Sequence, residues 1–149
     1  MTTEEKKLKY NQNLLREFRT YEKNWNLYDA EPISKEVIDR VEKLLPTLSS
    51  QPMLTATADG NVALEYLNEK RDYLLFRPSL KDELYEAVFI PKDESFLNAK
   101  KMVEGKEIQD IVNAFESGDS RPIKEAWVAY DMKKTIQEGW ELLKENSSK

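Results

Sequence analysis

The sequence predicts an α+β domain. Its sheet is a four-stranded antiparallel meander over about residues 53–90, with two N-terminal helices and two to three C-terminal helices packed on it. Three observations carry this reading. Apolar residues recur at helical steps over residues 3–24 and 34–46. Between residues 53 and 90 they form short, partly alternating runs around Asp59-Gly60. Helical spacing returns after residue 106, so strands and helices are grouped rather than interleaved. A chain of 149 residues with no linker tract and no internal repeat fits one domain, 1–149.

The first helix is expected over residues 3–24. Leu14, Phe18, Tyr21 and Trp25 step by four, three and four, and Thr3 is the expected cap before Glu4 and Glu5. The second is expected over 34–46, with Ser34 as N-cap and Ile33 and Ile38 at the spacing of a hydrophobic staple. Val37, Val41, Leu44 and Leu48 form its apolar stripe, and Pro46 ends it.

MLTATA and NVALEYL flank Asp59-Gly60, a pair suited to the positive φ of a type I′ turn. On the second strand Val62, Leu64 and Tyr66 point to one face, and Ala63, Glu65 and Leu67 to the other. DYLLFRP and LYEAVFI supply the third and fourth strands. Residues 94–104 fit either a short helix or an irregular segment. Residues 106–117 read as a helix with Gly118 at C′, and residues 122–146 as the last helix, opening near Pro122.

Composition restricts the chemistry. The chain has no Cys and no His. That rules out disulfides, zinc sites built on those residues, Cys nucleophiles and His-based triads. Carboxylates remain, and Asp29, Glu31, Glu65 and Glu86 are the ones considered for acid–base work or magnesium. Glu65 and Glu86 read as solvent-facing strand residues, with Arg77 as a cross-strand partner, and a Glu65–Arg77 pair is one arrangement to test. There is no Gly-rich phosphate loop and no G-x-S-x-G elbow. No catalytic residue, metal ligand or cofactor is therefore assigned.

The net charge of −5 disfavours phosphate backbones as ligands. Lys100, Lys101 and Lys106 have no aromatic residues interleaved with them as stacking platforms. No apolar run approaches the roughly 18 residues of a membrane span. The segment MTTEEKKLKYNQ lacks the apolar core of a secretory signal, so the expectation is a cytoplasmic protein.

Two regions stand out as contact surfaces. In NWNLYDAEPIS, residues 24–34, Trp25 continues the first helix's stripe and Pro32-Ile33-Ser34 begins the second helix. The middle, Leu27 to Glu31, is left open between packing and recognition. Tyr28, Asp29 and Glu31 are its candidate partner-binding residues, since tyrosine buries a large area and keeps a polar tip. The other region is the last helix, where Trp127, Tyr130, Ile136 and Trp140 lie on a wide apolar stripe and Gly139 admits close approach.

The pattern Trp25-Asn26-x-Tyr28-x-Ala30-x-Pro32-Ile33, followed by Asp59-Gly60 and Leu64-Glu65-Tyr66, resembles a family of small uncharacterised bacterial and phage-borne proteins. Their motif runs W-D-G-Y-x-A-x-P-I, then P-T-x-D-G-x-I-x-L-E-W. Here Asn26, Leu27 and Tyr66 replace the motif's acid, glycine and second tryptophan. The resemblance covers about residues 24–77 and implies a helix-plus-sheet arrangement without an activity. Its phage setting implies an inhibitor, antitoxin-like or anti-defence accessory role.

The leading expectation is thus a non-enzymatic protein-interaction module that binds another protein or a second copy of itself. The alternatives are a carboxylate/magnesium-dependent hydrolase and a nucleic-acid mimic or nucleic-acid-binding accessory.

Overall fold

The computed structural model describes residues 1–92 and 98–118 in full, together with the backbone of strand residues 128–130. The element order is α1 (Thr3–Phe18), α2 (Lys35–Leu44), a 3-10 turn (Leu45–Thr47), β1 (Met53–Ala56), β2 (Val62–Leu67), β3 (Tyr73–Pro78), β4 (Tyr85–Ile90), β5 (Asn98–Val103), a 3-10 turn (Gly105–Glu107), α3 (Ile108–Glu116) and β6 (Val128–Tyr130). The six strands among the described residues form one sheet in sequence order, and every neighbouring pair is antiparallel.

The α+β class and the central meander agree with the sequence reading, but the sheet is larger than the four strands expected. β5 occupies the segment that fitted either a short helix or an irregular run. Its AKKMV sequence joins the sheet because β4 offers a free edge, with Phe89 opposite Ala99 and Tyr85 opposite Val103. Residues Val128–Tyr130 pair with β5, so the last helix expected over 122–146 does not run unbroken. The rest of that span lies outside the described residues.

Alternation divides the sheet into two faces. Leu54, Val62, Leu64, Tyr66, Leu74, Phe76, Tyr85, Ala87, Phe89, Ala99 and Val103 point to the core side. There they meet Leu15 and Phe18 of α1, Val37, Ile38, Val41 and Leu44 of α2, and Ile108, Val112 and Phe115 of α3. One apolar cluster therefore holds helices and sheet together. Tyr66–Phe76 and Phe89–Phe115 meet edge-on within it, at 6.4 and 6.2 Å.

The helix boundaries differ from the expected ones for local reasons. Thr2, not Thr3, caps α1, accepting from the Glu5 amide at 3.1 Å in a capping box. The helix ends at Phe18 rather than residue 24. Thr20 closes it, its amide and hydroxyl both donating to the Glu17 carbonyl at 3.0 and 2.7 Å. The Phe18–Tyr21–Trp25 spacing survives as a run of ring contacts leaving the helix end, tilted between Phe18 and Tyr21 at 5.4 Å and stacked between Tyr21 and Trp25 at 5.0 Å. α2 starts as expected, with Ser34 accepting from the Val37 amide at 3.3 Å and Ile33 and Ile38 both buried.

Asp59-Gly60 lies in the β1–β2 hairpin, but only Gly60 has positive φ, at 83°. The turn is therefore not type I′. The Gly60 amide donates to the Thr57 carbonyl at 3.1 Å, and the loop spans five residues, Thr57 to Asn61. α3 is preceded by a 3-10 turn and closed by Gly118, which takes the left-handed φ of 79° expected at C′.

Candidate functional site

The segment between α1 and α2 is the most unusual backbone in the described chain. Asn24, Leu27 and Asp29 all have positive φ, at 68°, 66° and 63°. Asparagine and aspartate tolerate this region. A leucine there is a genuine outlier.

The loop is held by its own polar groups. The Asn24 amide donates to the Ala30 carbonyl at 2.7 Å and the Leu27 amide to the Asn24 carbonyl at 3.0 Å. Asn26 Oδ1 accepts from the amides of Tyr28 and Ala30 at 2.8 and 3.2 Å, while Asn24 Oδ1 accepts from the Asp29 amide at 2.8 Å. The two asparagine side chains thus take the place of strand or helix partners. Asp29 enters this network as a donor through its backbone amide.

The loop is also fastened to the domain. Trp25 packs against Tyr21, and its Nε1 donates to the Glu31 carbonyl at 2.7 Å. The Glu31 amide donates to the Ala58 carbonyl at 2.8 Å and the Ser34 amide to the Gly60 carbonyl at 2.9 Å, tying the loop to the β1–β2 turn. Ala30 and Ile33 are buried beneath it. Lys23 bridges Asp29 and Glu31 at 3.4 and 2.8 Å. Its ammonium is held above the usual lysine range by the Glu31 hydrogen bond first and the Asp29 bond second.

The result is a rigid platform with two apolar side chains projecting from it. Leu27 is 83% exposed and Tyr28 87% exposed. Of the two aromatics weighed for packing, Trp25 does pack and Tyr28 does not. Leu27 was not among the expected contact residues. The sequence signal for it was an isolated leucine between two asparagines and an aspartate, residue types that favour left-handed turns.

The second expected surface is placed only in part. Trp127, Ile136 and Trp140 lie outside the described residues. Tyr130 ends β6, with only its backbone described, opposite Asn98.

The strand carboxylates Glu65 and Glu86 are each taken up by different partners. Glu86 lies directly opposite Arg77 in the β3–β4 ladder and pairs with it at 2.6 Å. Lys100 approaches its other oxygen at 3.5 Å. Burial pushes the Glu86 carboxyl up, but the Arg77 hydrogen bond and charge, with Lys100, outweigh this and hold it below the usual carboxylate range. It is therefore poorly suited to general acid chemistry at neutral pH.

Glu65 stands opposite Leu75, so the Glu65–Arg77 pairing does not occur. Glu65 accepts instead from the Tyr73 hydroxyl at 2.5 Å and the Thr55 hydroxyl at 3.0 Å. Among the described residues no group of three acidic side chains could hold a metal ion. Among the same residues, no helix is long and apolar enough to cross a membrane.

Comparison with known proteins returns no matching family model, no matching curated protein and no matching solved structure.

Proposed function

We propose that the chain is a protein-binding module whose contact surface is centred on Leu27 and Tyr28. One observation carries this reading: a leucine held at φ 66° on a self-bonded loop, with its side chain and that of Tyr28 almost wholly exposed. Left-handed leucine costs stability, and exposing it recovers none from the core. Strain retained at an exposed apolar tip is characteristic of sites where a partner is engaged. Rigid presentation also lowers the ordering entropy lost on binding, and tyrosine is among the side chains most enriched at interface centres. Asp29 and Glu31, both paired with Lys23, supply a charged rim beside this tip.

The resemblance of residues 24–77 to small uncharacterised bacterial and phage-borne proteins supports an inhibitory, antitoxin-like or anti-defence role. Leu27 stands at their glycine position, and its left-handed φ is one a glycine adopts freely.

The test is affinity capture from host lysate with the intact chain and with a Leu27→Asp/Tyr28→Ala variant, whose fold is verified by circular dichroism. A protein retained by the former and lost with the latter is the expected result. Capture of the same proteins by both, or of none by either, refutes the proposal.

A further inference from the structure

Among the described residues β1 ends the sheet, so one flank of Met53–Ala56 has no strand neighbour there. Natural edges are usually blunted by charge, bulge or proline. This edge carries no charged residue, and only Pro52 precedes it.

Beside it runs a groove of about 620 Å³ between one face of α1 and residues 51–54, lined by Lys6, Lys7, Tyr10, Leu14, Met53 and Leu54 among others. Tyr10 is 67% exposed and Met53 65%, so the walls are apolar and open. The wall at residues 51–52 is fixed in place. Asn11, 3% exposed, donates through Nδ2 to the Pro52 carbonyl at 3.0 Å and to Gln51 Oε1 at 3.3 Å. Gln51 Nε2 in turn donates to the Leu45 carbonyl at 2.7 Å.

The charge of the groove runs against that of the chain. The net charge is −5, yet the described lining holds two lysines and no carboxylate. The adjacent acid, Glu4, accepts from the Gln51 amide at 2.9 Å and pairs with Lys7 at 3.5 Å, so Lys6 carries the uncompensated charge of this lining.

We propose that this groove binds an extended segment of a second protein, which adds to the open edge of β1 as a further strand. Its apolar side chains lie on Tyr10, Leu14 and Met53, and its carboxylates face Lys6 and Lys7. Edge addition gives affinity through the main chain, and the lysines select an acidic sequence. This surface is separate from the Leu27–Tyr28 tip and does not depend on it.

A displayed library of random dodecapeptides, panned at low salt against the full chain, tests the proposal. A labelled copy of the most enriched peptide is then titrated by fluorescence anisotropy. Enriched sequences should combine carboxylates with alternating apolar residues. Lys6→Glu/Lys7→Glu should weaken binding by about tenfold, from two exposed charge reversals. Tyr28→Ala should leave it unchanged, and the amide resonances of residues 53–56 should shift on titration. Absence of enrichment, enrichment without acidic residues, or full affinity in the double lysine variant overturns the proposal. So does light scattering that finds a dimer dissociated by Lys6→Glu/Lys7→Glu, which would assign the groove to a second copy.

Discussion

Replacing Leu27 by glycine should stabilise the protein, against the usual effect of glycine in a loop. Leu27 has φ 66° and is 83% exposed. A left-handed L-residue costs about 1–2 kcal/mol, which glycine removes. Glycine adds freedom to the unfolded chain, a penalty of about 0.4–1 kcal/mol. The small buried fraction of the leucine side chain contributes only about 0.3 kcal/mol, scaled from about 2 kcal/mol for full burial. The balance is a gain of about 0.5 kcal/mol, or a rise in Tm of about 1–2 °C for a chain of this size.

Were residue 27 at ordinary negative φ, the same substitution would lose about 1 kcal/mol. Leu27→Ala separates the contributions, because alanine keeps the Cβ and hence the strain. The assay is urea and thermal unfolding followed by circular dichroism on all three proteins. Leu27→Gly should be the most stable, and both variants should bind a partner that uses this tip more weakly than the unsubstituted chain. A Leu27→Gly variant less stable than Leu27→Ala would refute the reasoning, since the left-handed backbone would then carry no strain that glycine relieves.

Three further outcomes are expected. Gly60→Ala places a Cβ 2.7 Å from the Pro32 carbonyl oxygen at φ 83°, and should lose about 2–3 kcal/mol in urea unfolding; a loss below about 0.5 kcal/mol would show that this contact is easily relieved. Arg40 donates to the carbonyls of Ser79, Asp82 and Leu84 at 2.8, 3.0 and 2.9 Å and lies over the Tyr85 ring. Arg40→Ala should cost about 2–3 kcal/mol, and Arg40→Lys should recover less than half of it, because an ammonium cannot reproduce the guanidinium fork; full recovery by lysine would count against this clamp. Burial, with the charges of Glu116 and Glu4, pushes the Tyr66 phenol well above its ordinary value. The folded state therefore favours the neutral form, so this contribution is intact below the unfolded value of about 10 and is lost as pH rises above it. Tyr66→Phe should flatten the alkaline fall in stability by one proton's share, and an unchanged alkaline slope would contradict the assignment.

Legibility in the sequence followed the range of the interactions involved. α2 was readable nearly to the residue, because Ser34, Ile33, Ile38 and the Val37–Val41–Leu44 stripe interact within a few positions of one another. The β2–β4 meander was readable because single alternation leaves few choices of face. β5 was not readable as a strand, since its lysines obscure the alternation and pairing with β4 decides its state. The end of α1 was misplaced because Phe18, Tyr21 and Trp25 have a spacing that serves a helix and a run of ring contacts equally.

The candidate site divides along the same line. Composition alone excluded histidine and cysteine chemistry, because absent side chains cannot be supplied by folding. The asparagines at 24 and 26 marked a loop. Which side chains leave its surface depended on the sign of φ at Asn24, Leu27 and Asp29, and that backbone goes with the Asn24 and Asn26 bonds inside the loop and with its attachment to the carbonyls of Ala58 and Gly60. The choice of Arg77 for Glu86 rather than Glu65 likewise belongs to ladder register. Residue type set which interactions were available to this chain, while contacts between residues distant in sequence decided which were made.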